Sequence, residues 1–383
     1  MSSTAEMPAE DDWQGKARDF ARARLMLYGV QTAVGLLFPL LFWRLGGSAT
    51  LEGLLGPLST LRWLETVLFL LVYEVITAAI FLPFSYFGGF ILQHRFGLSR
   101  QNRSGWLSDW VKSTLIGAFF FIAGMTVFYL LAPAFPSSWW WILAIAVSVM
   151  ALILTYIAPV LLLPIFYKRS PVEDPELVER IRTMAEKAGA HVSRIYTIDM
   201  SRRTVAANAA LTGIGRTRQV LLGDTMLRQF SPDEVETVVA HELGHHVHGD
   251  IWKGLAAEAG GAWAGLFLIQ YLVRPVFLQI GIGDVSVLAN LPLLLFLGEV
   301  ASLVLMPAAN AISRHYEAQA DAFAARTSRM PEAYAGALYR LAKQNLSELW
   351  PPRWVELLFY THPAIGRRMR AVSGRGGDGA SGR

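Results

Sequence analysis

Residues 231–250 read Ser-Pro-Asp-Glu-Val-Glu-Thr-Val-Val-Ala-His-Glu-Leu-Gly-His-His-Val-His-Gly-Asp. Ser231 suits an N-cap, Pro232 the first helical position, and Glu234 completes a capping box. Val235, Val238 and Val239 then form an apolar face that runs into His241. His241 and His245 are four apart, so they share one face a turn apart. Their imidazoles can hold one zinc ion, with Glu242 beside it as general base. Asp233, Glu234, Glu236, His248 and Asp250 make the stretch too polar to cross lipid. A water-facing helix carrying a metal motif is therefore predicted.

The rest of the chain is apolar. Of 383 residues, 53% are hydrophobic and only 17% charged, against about 25% charged in soluble domains. Mean hydropathy is +0.37. Six segments approach the roughly 20 apolar residues a spanning helix needs. They lie near Leu25–Leu45, Trp63–Phe87, Leu115–Phe135, Trp139–Phe166, Ala259–Ile280 and Val285–Met306. Gln270 and Arg274 interrupt the fifth. Trp139, Trp140 and Trp141 open the fourth as an interfacial belt would. The N-terminal stretch lacks the apolar core of a secretory signal, so the first span reads as an uncleaved anchor. No cysteine is present, which excludes thiolate metal sites, disulfides and cysteine nucleophiles. The net charge of +4 comes from Lys and Arg beside apolar segments, which fits membrane orientation rather than nucleic-acid binding.

Those basic residues alternate by loop. Lys16, Arg18, Arg22 and Arg24 precede the first segment; Arg95, Arg100, Arg103 and Lys112 separate the second and third; Lys168 and Arg169 follow the fourth. The loop from Ala132 to Trp139 has no charge. This bias places both termini and residues 167–250 on the cytoplasmic side. The one large polar insertion runs from about Pro171 to Asp250. Pro175–Ala190 has helical spacing, and Arg194–Met200, Thr204–Leu211 and Gln219–Leu222 read as short strands. Gly213 and Gly215 turn the chain between the last two.

A catalytic zinc site usually has three protein ligands. Glu317, in Asn310-Ala-Ile-Ser-Arg-His-Tyr-Glu-Ala-Gln-Ala-Asp321, is the best third candidate. Glu317 and Asp321 share a helix face; one can bind metal while the other orients a ligand histidine. A solvated helix face would also accommodate the pair. His246 points about 100° away from His245, and His94 and His315 read as loop and helix-surface residues.

The motif H-E-L-G-H followed by S-R-x-x-E-x-x-A-D (Ser313, Arg314, Glu317, Ala320, Asp321) closely resembles the type 1 CAAX prenyl proteases, integral-membrane zinc metalloendopeptidases. Ala207-Asn208-Ala209, Thr212-Gly213, Leu92-Gln-His-Arg-Phe-Gly97 and Thr361-His362-Pro363 with Arg368 extend the resemblance from about residue 60 to 371. It implies one Zn2+ per chain held by His241, His245 and Glu317, with Glu242 as catalytic base. It implies that His362 stabilises the oxyanion, that Asp321 and Arg368 support the site, and that Asn208 and Ala209 lie on an edge strand that pairs with substrate. The implied partners are the bilayer and a peptide or protein substrate, possibly C-terminally lipidated.

The expected fold is mainly α: a polytopic helical membrane protein of about six spans with a small α+β zinc-protease domain on the cytoplasmic side. The expected division is a polar N-terminal segment (1–24), an N-terminal membrane region (25–170), a metalloprotease domain containing two further spans (171–372) and a disordered tail (373–383). Two rival functions share the metal ligands. One is a quality-control membrane protease of the heat-shock type, usually with fewer spans ahead of the metal helix. The other is a non-catalytic zinc-binding membrane protein, which has no need of Glu242.

Overall fold

The computed structural model describes residues 12–190, 192–213 and 218–374. Among them, six helices are long and apolar enough to cross a membrane: Trp13–Arg44, Arg62–Arg95, Arg103–Ala134, Trp139–Phe166, Asp250–Gln279 and Leu288–Ser328. These fall on the six expected apolar segments. The first starts well before Leu25. Asp12 caps it by accepting from the Gly15 amide at 2.8 Å, and its leading turns bury Trp13, Ala17 and Phe20. That front end packs against Ala342, Leu346, Leu98 and Leu92, so it docks onto the polar half of the molecule.

Polar groups near the span ends have partners. Gln270 accepts from the Trp139 indole at 2.6 Å and donates to the Pro136 carbonyl at 3.0 Å. Arg274 pairs with Asp284 at 2.7 Å. Arg274 also donates to the Pro136 carbonyl, so both side chains tie the start of the Trp139 helix to the end of the Asp250–Gln279 helix. The expectation for Trp139 is corrected here: it is fully buried against Phe128 rather than part of an interfacial belt, because its N–H finds a partner inside the bundle. Trp141 is exposed.

The polar insertion forms a four-stranded sheet in the order β1-β2-β4-β3. Its strands are β1 (Arg169–Pro171), β2 (Arg194–Ile198), β3 (Ala209–Thr212) and β4 (Gln219–Gly223). Only β2 and β4 are parallel; β3 runs antiparallel to β4 at the edge. Strand β1 had no sequence signal, being short and polar. The expected strand Thr204–Leu211 begins only at Ala209, because other partners take the backbone ahead of it. Thr225 donates to the Ala206 carbonyl at 2.8 Å, and the Asn345 carboxamide brackets Ala207. Gly215 lies outside the described residues. Residues 98–100 cross-link this sheet to the membrane helices: Val205 donates to Leu98 O, Arg100 donates to Arg203 O, and Arg203 grips Asp109 through two bonds of 2.7 and 3.0 Å.

The metal-motif helix (Pro232–Val247) has the predicted capping box at Ser231 and Glu234. Val235, Val239 and Leu243 are successive i, i+4 positions on one face, each 1% exposed or less. They pack in one core with Ile181, Leu222 and Leu338, and each such side chain contributes about 1.5–3 kcal/mol. This firm seat aims His241 and His245 at the long helix Leu291–Ser328. That helix has 38 residues. At 1.5 Å per residue it places Glu317 about 39 Å from Leu291, beyond an apolar core of about 30 Å.

The two helices touch at Gly244. A Cβ there would sit 3.0 Å from Ala320 Cα and 3.2 Å from Ala320 O. Glycine in H-E-L-G-H and alanine in E-x-x-A-D thus permit one close backbone approach. Ala at position 244 raises helix propensity by about 1 kcal/mol, yet it must force the helices apart. Gly244→Ala is expected to stay folded by circular dichroism and to weaken metal binding at least about tenfold, measured by competition with a chromophoric chelator. Unchanged affinity would show that this contact does not set the ligand spacing.

Candidate active site

The close approach brings three donor groups together. His245 Nε2 lies 3.2 Å from His241 Nε2 and 3.2 Å from Glu317 Oε1. His241 Nε2 lies 3.4 Å from Glu317 Oε2. Two ligands each about 2.05 Å from a tetrahedral metal are separated by about 3.3 Å. The edge between the two imidazoles has that length, one carboxylate oxygen faces each ring, and one ligand atom from each of the three residues lies within 4.8 Å of the other two. Among the described residues they form the one group of three such ligands within mutual reach. Glu317 Oε2 is buried with no hydrogen-bond partner, so a cation would satisfy a lone pair that the chain leaves open. The residues fit a metal ion.

The other ring nitrogens are held from behind. His241 Nδ1 lies 3.0 Å from Asp321 Oδ1 and 2.9 Å from the Tyr334 hydroxyl. That hydroxyl also donates to Asp321 Oδ1 at 2.6 Å. Arg368 forks onto Asp321, with Nε to Oδ2 at 2.8 Å and Nη2 to Oδ1 at 2.7 Å. His245 Nδ1 lies 2.9 Å from Asp250 Oδ2. Hydrogen bonding at Nδ1 sets the tautomer in which Nε2 carries the lone pair a metal needs.

His362 also reaches the site. Its Nε2 lies 3.1 Å from Glu317 Oε1, and its ring is 56% exposed, so it borders the opening. The long helix that carries Glu317 also fixes this loop. Asn310 donates to Leu358 O at 2.7 Å; Arg314 donates to Glu356 O at 3.0 Å and Tyr360 O at 2.7 Å. The buried Glu356 carboxylate accepts from the Ala364 amide and from Arg367. Glu242 lies beside the edge strand and accepts from the Leu211 amide.

Every predicted site residue has a defined position. His241, Glu242, His245, Glu317, Asp321, His362 and Arg368 converge, and Asn208 and Ala209 lie on or just before the neighbouring edge strand. Sequence reading missed Asp250 and Tyr334. Asp250 had a weak signal, an acid five residues past His245 just beyond the left-handed Gly249. Tyr334 had none, since helix packing alone returns it to Asp321. His246 is half-buried with neither ring nitrogen hydrogen-bonded, and His248 packs edge-on to Phe323. His94 bridges the Phe90 and Gln101 carbonyls at 2.7 and 2.8 Å. None of the three joins the site.

Residues 171–376 match the model of peptidase family M48. The chain belongs to peptidase family M48. Residues 5–168 of the M48 chain match the CAAX prenyl protease N-terminal family, described as having five membrane helices. Four long helices occupy that region here, and the extra helix Gly47–Leu55 has only nine residues. The chain is 32% identical over 319 residues to the uncharacterized metalloprotease YhfN of Bacillus subtilis, covering 81% of this chain and 73% of that one. It is 27% identical over 329 residues to CAAX prenyl protease 1 of Saccharomyces cerevisiae, covering 80% and 72%. The fold matches the crystal structure of S. mikatae Ste24p with a TM-score of 0.83 at 23% identity, covering 97% and 91%. The M48 chain is a membrane-embedded metalloendopeptidase with a largely helical, polytopic fold.

Electrostatics differ between the motif residues. Burial raises the Glu242 carboxyl above its usual range, against the pull of both histidines. Burial opposes charge on His241, but the Asp321 and Glu317 carboxylates beside it prevail and lift it to about 9 in the metal-free protein. A metal must therefore displace a proton from His241 at any pH below about 9. Apparent affinity should climb about tenfold per pH unit between pH 6.5 and 8.5 for each proton displaced. Titration calorimetry in buffers of different ionisation enthalpy checks this; a pH-independent affinity would contradict it.

The Arg314 contacts generate a second expectation. Arg314→Ala should lower peptide cleavage about tenfold or more at unchanged metal content, by releasing the His362 loop. In a His362→Ala background the same change should cost little more. Additive losses would separate Arg314 from His362.

Proposed function

We propose that the M48 chain is a zinc endopeptidase in which His241, His245 and Glu317 hold one zinc ion and Glu242 acts as general base. The convergence of the two imidazole Nε2 atoms, 3.2 Å apart, on the Glu317 carboxylate, whose two oxygens lie 3.2 and 3.4 Å from one imidazole each, carries this reading. When bound, zinc supplies a Lewis acid for the scissile carbonyl and lowers the pKa of a bound water to about 7.

The chain's own groups do the rest. Glu242, with its carboxyl raised by burial, takes a proton from the attacking water and delivers it to the leaving amine. His362 donates to the carbonyl oxygen as negative charge grows there. Asp321, Asp250 and Tyr334 hold the ligand imidazoles in orientation, and Arg368 holds Asp321 by a bidentate bond.

Strand β3 binds the substrate backbone by β-augmentation. Gly223 donates to the Asn208 carbonyl at 2.9 Å, so Asn208 turns its peptide groups inward to β4. In an antiparallel pair the alternate residues face out, so Ala209 and Leu211 face away from β4; with the Leu211 amide given to Glu242, Ala209 is left for the peptide. Asn208 has only its exposed side chain to offer.

The Lys/Arg loop bias puts this site and both termini on the cytoplasmic side of a multi-pass membrane protein. The substrate is a peptide or protein delivered at that face. The relatives named for CAAX prenyl proteolysis make a C-terminally lipidated peptide the first to try. Four long helices ahead of the metal helix favour this over the heat-shock type.

Glu242→Gln is expected to keep stoichiometric zinc and to lose about 10²–10⁴-fold in cleavage of lipidated and plain peptides, followed by mass spectrometry. Cleavage at the wild-type rate would remove Glu242 as the base. Zinc binding with no cleavage of any peptide by the wild type would instead favour the non-catalytic alternative.

A further inference from the structure

We propose that Asn345 closes one end of the substrate-pairing edge and so determines how far a peptide can extend along it. This rests on the reading of β3 as the strand that binds substrate. Ala207, Ala209 and Leu211 share the outward-facing parity. The Ala207 amide donates to Asn345 Oδ1 at 3.0 Å, and Asn345 Nδ2 donates to the Ala207 carbonyl at 3.2 Å. One carboxamide thus makes the two bonds that a paired peptide residue would make. Beside it, Gln344 Nε2 donates to the Val205 carbonyl at 2.5 Å. At the other end, the Leu211 amide is given to Glu242. Among the described residues, neither outward backbone group of Ala209 has a hydrogen-bond partner.

Asn345 is held in this pose. It caps the helix Pro331–Gln344, and the next residue, Leu346, takes a left-handed φ of 46°, a conformation that costs a leucine about 1 kcal/mol or more. Ser347 donates back to Ala342 O at 2.8 Å to close the turn. Leu346 packs with the clusters of Trp13 and Phe20, so the first membrane helix buttresses the plug. A peptide paired at Ala209 meets the Asn345 side chain at its next outward position and must end or leave the strand there. The site therefore favours cleavage near one peptide terminus.

A ladder of peptides, extended at one end or the other around a common scissile bond, tests this with the full-length zinc-loaded protein. Wild type should tolerate extension at one end only. Asn345→Ala frees the two Ala207 groups, so KM for peptides extended at the restricted end should fall about tenfold, with kcat and zinc content unchanged. If Asn345→Ala does not fold, Asn345→Asp keeps the shape and loses only the donor to Ala207, and a smaller fall in the same direction is expected. An unchanged length dependence at both ends in a folded, active variant would overturn the role of Asn345. Failure of wild type to cleave any peptide of the ladder would instead overturn the peptidase reading beneath it.

Discussion

Two imidazole nitrogens and a carboxylate packed within 3.4 Å of one another and largely shielded from water draw a positive charge into their midst. Protons can supply it, which is why burial fails to keep His241 neutral in the metal-free protein. A divalent cation could supply it better, and one ligand atom from each of the three residues lies within 4.8 Å of the others. Much of the surrounding architecture serves to hold this unfavourable cluster in place. The core behind Val235, Val239 and Leu243 fixes one helix. The Gly244–Ala320 contact fixes its distance from the other. Asp321, Arg368 and Tyr334 form a buried, mutually bonded network that cannot shift one member without unpairing another.

The membrane helices are part of the same construction. The helix that supplies Glu317 begins as a membrane span and continues past the apolar layer, so a ligand is rooted in the bilayer. Through Asn310 and Arg314 it also holds the loop bearing His362. The first helix reaches beyond the apolar layer in the same way and packs Trp13 and Phe20 against the turn at Leu346. Glu317, the loop bearing His362 and the turn after Asn345 are thus each tied to a spanning helix. This suits an enzyme that works where membrane and water meet.

Much of this was legible in the chain. The capping box at Ser231 and Glu234, the i, i+4 histidines and the six apolar runs are local signals, and local physics decided them. Glu317, the proposed third ligand, was visible from the residues as an acid on the helix leaving the last span and was singled out by the family resemblance. Tyr334 and Asp250 escaped because their roles depend on where helices cross, which spacing does not encode. The strand expected at Thr204–Leu211 was too long for a related reason. Side chains remote in sequence, Asn345 and Thr225, satisfy the backbone that a longer ladder would have used. Trp139 was misplaced because a belt and a buried anchor look alike until Gln270 is seen beside it.

Anomalous diffraction at the zinc edge, from crystals of the purified protein, meets the central claim most directly. One peak per chain is predicted, at bonding distance from His241 Nε2, His245 Nε2 and a Glu317 carboxylate oxygen. A metal bound elsewhere, or a fully ordered site in which Glu317 has turned away from an occupied metal, would contradict it.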